Sequence, residues 1–180
     1  MTPAGSGSFV YASIIALGTA GTLSALSGQT MKYQPSSGGV SFNTVAFTTG
    51  TTAGSNVTIG ATDTGNTAIS ISAVEILQAA GNTLMQDASS PGGSALGNTS
   101  LTTASFTPPA GSLLMASIGS NGGSGIVNMG ITDTSGLGLT WVEQEAQHAT
   151  GNGYSGIWTA LMPASSTVIR SPGVTLMGVG

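Results

Sequence analysis

The chain has 180 residues, only two of them Lys or Arg and six Asp or Glu, for a formal net charge of −4 and a pI near 4.3. Two cations cannot neutralise a run of phosphates, so nucleic-acid binding is set aside, and a chain without cysteine makes no disulfide and no thiolate metal site. Soluble domains ordinarily carry charge on about 25–35% of their surface residues; here Ser, Thr, Asn, Gln and Gly take that place, copies repel one another weakly, and the composition suits a building block more than a catalyst.

With 39% apolar residues and a mean hydropathy of +0.31, the chain can bury one good core or two small ones. Its first element is Phe9–Leu17, a largely apolar run about half as long as a membrane-spanning helix. Small residues follow it, as after a signal peptide, but no Lys or Arg precedes it, so it is predicted to be a buried β-strand. A lipid-facing barrel needs aromatic girdles, and aromatics are 5%. Strands are next predicted at Val40–Thr48, Asn56–Ala61 and Thr67–Leu77, runs rich in Val, Ile, Thr and Phe between Gly, Asn and Ser turn signals. In Thr67–Leu77 the side chains alternate: Ile69, Ile71 and Ala73 point one way, Ser70, Ser72 and Val74 the other. That pattern predicts an antiparallel sheet packed on its apolar face and wet on its hydroxyl face. The overlapping stretch Ala73–Met85 holds good helix formers and reads equally as strand or short helix.

Residues 87–99, around Ser90-Pro-Gly-Gly-Ser94, are polar and aperiodic, and are predicted to be a linker or long loop between an N-terminal β-unit (1–86) and a C-terminal β-sandwich unit (100–180). Beyond it, strands are predicted at Leu101–Thr107, Ser112–Ile118, Ile126–Thr132, Leu139–Ala146, Tyr154–Met162, Thr167–Arg170 and Val174–Met177, with turns at Asn121-Gly-Gly123 and Gly151-Asn-Gly153 matching an earlier one at Ser37-Gly-Gly39. The fold class is therefore all-β, an antiparallel β-sandwich of jelly-roll or immunoglobulin-like kind. Two similar lobes stay open as an alternative: a shift of 70 residues lays Gly60-Ala-Thr-Asp-Thr64 on Gly130-Ile-Thr-Asp-Thr134 and Glu75 on Glu145.

Asp63 and Asp133, each flanked by threonines, are the metal candidates. Calcium wants six to eight oxygens with several converging carboxylates, so an Asx-turn, in which the aspartate binds backbone two residues on, is the expected role. His148 is the sole histidine; a Ser/His/Asp triad would have to recruit it with Asp133 or Asp87, and no Gly-x-Ser-x-Gly elbow fits. It is expected in a loop. Glu143 and Glu145, two apart on a strand, would share a face, which suits a wet strand surface better than a glycosidase pair. No enzyme and no cofactor are expected. Trp141 and Trp158, near Tyr154, are the candidate glycan contacts, with burial in a core as the default.

Three segments carry a resemblance: Phe106-Thr-Pro-Pro-Ala-Gly-Ser-Leu-Leu114, Gly130-Ile-Thr-Asp-Thr-Ser-Gly-Leu-Gly-Leu-Thr-Trp141 and Gly153-Tyr-Ser-Gly-Ile-Trp-Thr-Ala-Leu-Met-Pro163. Together, about a third of the chain, they resemble a β-sandwich domain of tailed-bacteriophage structural proteins, among them capsid decoration and minor tail proteins. The resemblance implies a place in the virion, on capsid or tail surface, with self-association and other virion proteins as partners and neither nucleic acid nor membrane. A carbohydrate-binding or adhesin-type β-sandwich module is the alternative. A pilin-like filament subunit and an ice-binding solenoid fit less well, the first because Gly18, Gly21 and Gly28 interrupt any N-terminal helix, the second for want of a short regular period. Neighbours are expected to pack on the uncharged stretches, residues 88–132 and both ends, and one uncharged terminal segment is expected to add a strand to a neighbouring subunit.

Overall fold

The structure is a computed structural model that describes residues 1–17, 23–33, 36–37, 40–47, 51–65, 68–77, 90–93, 100–120, 128–133, 136–149, 153–164 and 173–177. Among them every regular element is a β-strand and every pairing is antiparallel. The largest sheet runs β3 (Gln29–Tyr33), β5 (Val40–Phe47), β1 (Phe9–Leu17), β7 (Ala68–Ile76), with the short β4 (Ser36–Ser37) also on β5. A second sheet runs β11 (Val142–Ala149), β12 (Gly153–Leu161), β9 (Leu113–Ser120). A third runs β10 (Asn128–Thr132), β13 (Gly173–Met177), β8 (Ser100–Thr102), and β2 (Leu23–Ala25) pairs with β6 (Ala61–Asp63).

β1 and β12 are interior strands of these first two sheets, and both are buried on both faces. Strands covered on both sides have no wet face to mark with polar residues, so their alternation disappears. On β1, Ala12, Ile14 and Ala16 point into one core with Leu23 of β2, joined by Met31, Ile59, Ala61 and Ala73. On β12, Tyr154 and Trp158 point into another with Ile118 and Met129, joined by Ala116, Ile131, Trp141 and Ala146.

Between these clusters the sheets meet across serines. Ser72 of β7 donates to the Ser155 carbonyl on β12 at 2.9 Å, Ser13 of β1 donates to the Ile118 carbonyl on β9 at 3.3 Å, and Ser70 Oγ lies 3.2 Å from Ser155 Oγ. Hydroxyl groups that reach the backbone of the other sheet make this contact, in place of interleaved aliphatic side chains. Ser13, Ser72 and Ser155 are all buried. The expectation for β7 is therefore inverted: Ser72 is 2% exposed, whereas Ile69 and Ile71 on the apolar face are 48% and 37% exposed. The serines are short enough to let the sheets approach and polar enough to satisfy carbonyls there. The seam also joins residues before and after the segment 87–99, of which only 90–93 lie within the described residues.

Other departures have local causes. Residues 56–60 form no strand: the Gln29 amide donates to the Thr58 carbonyl at 2.7 Å and accepts from Gly60 N at 3.0 Å, and the backbone of Val57 bonds Met1. Residues 139–141 stay outside β11 because the Asp133 carboxylate accepts from Leu139 N at 3.0 Å. Strand wins over helix as far as Ile76, since Ala68–Ile76 pairs along all of β1; residues 78–89 lie outside the described set, as do Thr167–Arg170, Gly18, Gly21, and the turns at Gly38-Gly39, Asn121-Gly-Gly123 and Gly151-Asn152. Gly111, at φ 72° with Ser112 N bonded to the Pro109 carbonyl at 3.2 Å, makes the tight turn that starts β9. Both terminal strands are interior: β1 pairs with β5 and β7, and β13 with β10 and β8. Among the described residues, neither is an edge strand.

Candidate functional site

The aromatic side chains of β12 form one cluster with Ile118 and Met129. Tyr154 and Trp158 stack with ring centroids 5.9 Å apart at 22°. They meet over Gly156, where a Cβ would lie 2.7 Å from Trp158 Cη2 and 3.0 Å from Tyr154 Cε1. Trp158 is 3% exposed, so no face of its ring is open for a sugar to stack on. Trp141 is half-buried against the same cluster, and its buried Nε1–H has no acceptor in the described residues. The Tyr154 hydroxyl donates to Glu143 Oε2 at 2.9 Å; burial and the adjacent carboxylate together push the phenol far above its ordinary range.

Glu143 and Glu145 do not share a face. The β11–β12 register sets Glu143 opposite Trp158 and Glu145 opposite Ile157, with a bulge between them. An extra residue on one strand of a ladder shifts the alternation; Glu143 accordingly reaches Tyr154, and Glu145 accepts from Gln147 at 3.4 Å. The two carboxylates are not arranged as an acid and base about one bond. His148 lies within β11, opposite Tyr154, not in a loop, and Asp87 lies outside the described residues.

Asp63 Oδ1 accepts from Gly65 N at 3.0 Å, the two-residue reach of an Asx-turn. Asp133 spans its loop to Leu139. No group of three or more His, Asp or Glu side chains able to hold a metal ion occurs among the described residues, and no helix there is long and apolar enough to cross a membrane.

One polar cluster escaped the sequence reading. The Glu75 carboxylate on β7 accepts from Ala4 N at 3.0 and 2.9 Å, from Gly5 N at 3.1 Å and from the Ser8 hydroxyl at 2.5 Å. Ser8 Oγ also lies 2.7 Å from Thr51 Oγ1. The Ala4 amide foremost, then the Ser8 hydroxyl, hold the carboxyl below its ordinary range, against an opposing effect of burial and with a lesser contribution from the Gly5 amide. Gly7 N–Thr51 O, Thr51 N–Ser8 O, Gly54 N–Pro3 O and Val57 N–Met1 O bonds tie residues 1–8 along 51–57 beside it. Ser8 is fully buried, so no substrate reaches its hydroxyl, and a carboxylate held ionised is a poor base. The cluster is a clasp. Its members are dozens of residues apart, and only the isolated charge of Glu75 within an otherwise neutral strand marks it in sequence.

Compared with protein-family models, with curated proteins and with solved structures, the chain matches none.

Proposed function

We propose that this chain is a virion structural protein, a capsid decoration or minor capsid subunit of a tailed bacteriophage that binds neighbouring subunits without catalysis. We further propose that its two larger sheets form one antiparallel β-sandwich closed by the serine seam, with the remaining short sheets covering its outer faces. The observation that carries the role is a surface short of charge but not of apolar side chains. Leu161 is 67% and Leu77 59% exposed, and Val142 and Leu113 are about half exposed. Leu161 and Leu113 are cross-strand partners, and Val142 opposite Thr159 lies one step along the same sheet face. This apolar area continues the face that packs on the first sheet, the kind of surface that marks protein–protein contact. Burial of the β12 aromatics counts against a glycan-binding module.

The test is location. Tailed-phage particles purified on a gradient carry the chain as a stoichiometric component, and gold-labelled antibody against it decorates the capsid at regular positions. Label confined to the tail transfers the role to a minor tail protein; a monodisperse monomer that never sediments with particles refutes it.

A further inference from the structure

Both terminal strands are interior to their sheets. Among the described residues the edge strands are β3 and β7, β11 and β9, β10 and β8, and the three-residue pair β2 and β6. Natural edge strands are guarded by bulges, charges or shortness, and most of these are. β3 carries exposed Lys32 and a bulge between Met31 and Tyr33. β11 carries Glu143, Glu145 and its own bulge. β8 and β10 have three and five residues; β9, eight residues without charge or bulge, lies against the first sheet, its Ile118 carbonyl accepting from Ser13 of β1.

β7 is the longest of these edges. It is nine residues long, pairs with β1 without a bulge, contains no proline, and its single charge, Glu75, is occupied by the N-terminal clasp. On the side away from β1 it pairs with no strand of the described residues. Its exposed face presents Ile69 and Ile71. We propose that β7 is a self-pairing edge: two copies of the chain join β7 to β7 in antiparallel register about a two-fold axis through Ile71, continuing the largest sheet from one subunit into the next.

The register follows from chemistry. Side chains directly opposite in an antiparallel pair share a face, so a two-fold axis perpendicular to the sheet must pass through a residue pair. Centred on Ile71, it sets Ile71 against Ile71 and Ile69 against Ala73, burying four isoleucines in one row, while Ser70 meets Ser72 on the hydroxyl face. The two Glu75 carboxylates then stand eight residues apart, roughly 27 Å, well beyond a Debye length at physiological salt. Such a contact is small beside a standard interface. Arrayed copies reinforce it through multivalency.

The proposal rests on the assembly reading above for its expectation of self-association, but its test is separate, because it needs no particle. The chain has no cysteine, so single-cysteine variants report the register directly. Residue 71 faces itself at about 4.5–5.5 Å between Cα atoms, within disulfide reach, whereas residue 69 is about 14 Å from its own copy. Mild oxidation of the full-length chain should convert Ile71→Cys to a covalent dimer and leave Ile69→Cys monomeric. Sedimentation over a concentration series should show dimerisation that Ile71→Lys weakens at least tenfold, with the thermal midpoint of that exposed substitution held within a few degrees. Equal cross-linking at 69 and 71, or self-association unchanged by Ile71→Lys, overturns the proposal while leaving particle location to decide the virion role.

Discussion

Replacing Gly156 by alanine separates what a strand prefers from what this strand has room for. Gly156 has an ordinary extended backbone, absent from the residues with positive φ, so alanine fits its conformation and the sequence alone predicts a gain: glycine inside a strand costs roughly 0.5–1 kcal/mol relative to alanine. The structure reverses the sign. The new methyl would stand 2.7 and 2.8 Å from Trp158 Cη2 and Cζ3 and 3.0 Å from Tyr154 Cε1, about 1 Å inside the ~3.5–4.0 Å optimum for carbon contacts. A flexible side chain would swing away, but Trp158 is buried, stacked on Tyr154 and packed on Ile118 and Met129. Overpacking of this kind costs about 1–3 kcal/mol, so the net expectation is a loss of about 1–2 kcal/mol. For a chain of this length that is a midpoint lower by roughly 2–8 °C. Thermal unfolding followed by near-ultraviolet circular dichroism reads both the midpoint and the Trp158 environment. Adding Trp158→Leu should make the alanine nearly neutral, a coupling of about 1 kcal/mol or more in a double-mutant cycle. A Gly156→Ala protein as stable as the parent would refute the close packing of the rings on β12.

Three further predictions concern other parts of the molecule. Ser72→Ala should cost about 1 kcal/mol through its lost bond to the Ser155 carbonyl, and Ser72→Val about 2–3 kcal/mol although valine is the better strand former, because the added methyls must part the sheets; denaturant midpoints that rank valine above alanine would place the seam wrongly. Glu75→Gln should lower stability by about 1 kcal/mol at neutral pH, a charged hydrogen-bond value discounted for the half-exposed site. The folded carboxyl titrates below its ordinary value, so its contribution is complete above pH ~4.3 and is lost as pH falls through the folded value; parent and variant should converge in acid, and a difference that grows there would be inconsistent with the clasp. Trp141→Phe keeps most of the ring on the second cluster and removes a buried N–H without an acceptor, so it should be neutral or slightly stabilising by calorimetry; a loss above about 2 kcal/mol would mean that the indole N–H is bonded.

Much of the strand layout could be read directly. Phe9–Leu17 keeps its predicted bounds, and Val40–Phe47, Ala68–Ile76, Asn128–Thr132, Gly153–Leu161 and Gly173–Met177 lie within a residue or two of expectation, because β-branched and aromatic runs bounded by glycine leave few other conformations. The short β2, β3 and β4 carry no such signal; Gln29–Tyr33 is a strand because β5 pairs with it. The Asx-turn at Asp63 was legible because its partner is two residues away. The clasp of Ser8, Thr51 and Glu75 was not, because it is assembled by pairings among three distant segments.

The sequence by itself determined that the chain is built of antiparallel strands and that little charge stands between it and a neighbour, since both follow from local preference and composition. Only the tertiary structure decided which face of each strand is inside. Alternation tells two faces apart without saying which is covered, and on β7 a serine face went inside because its short hydroxyls could bond the carbonyls of the facing sheet. The same packing took the neutral ends of the chain, expected as contact strands, into the middles of their sheets. Among the described residues it left β7 as the longest edge strand. Pairing order depends on contacts remote in sequence, which neither composition nor periodicity records.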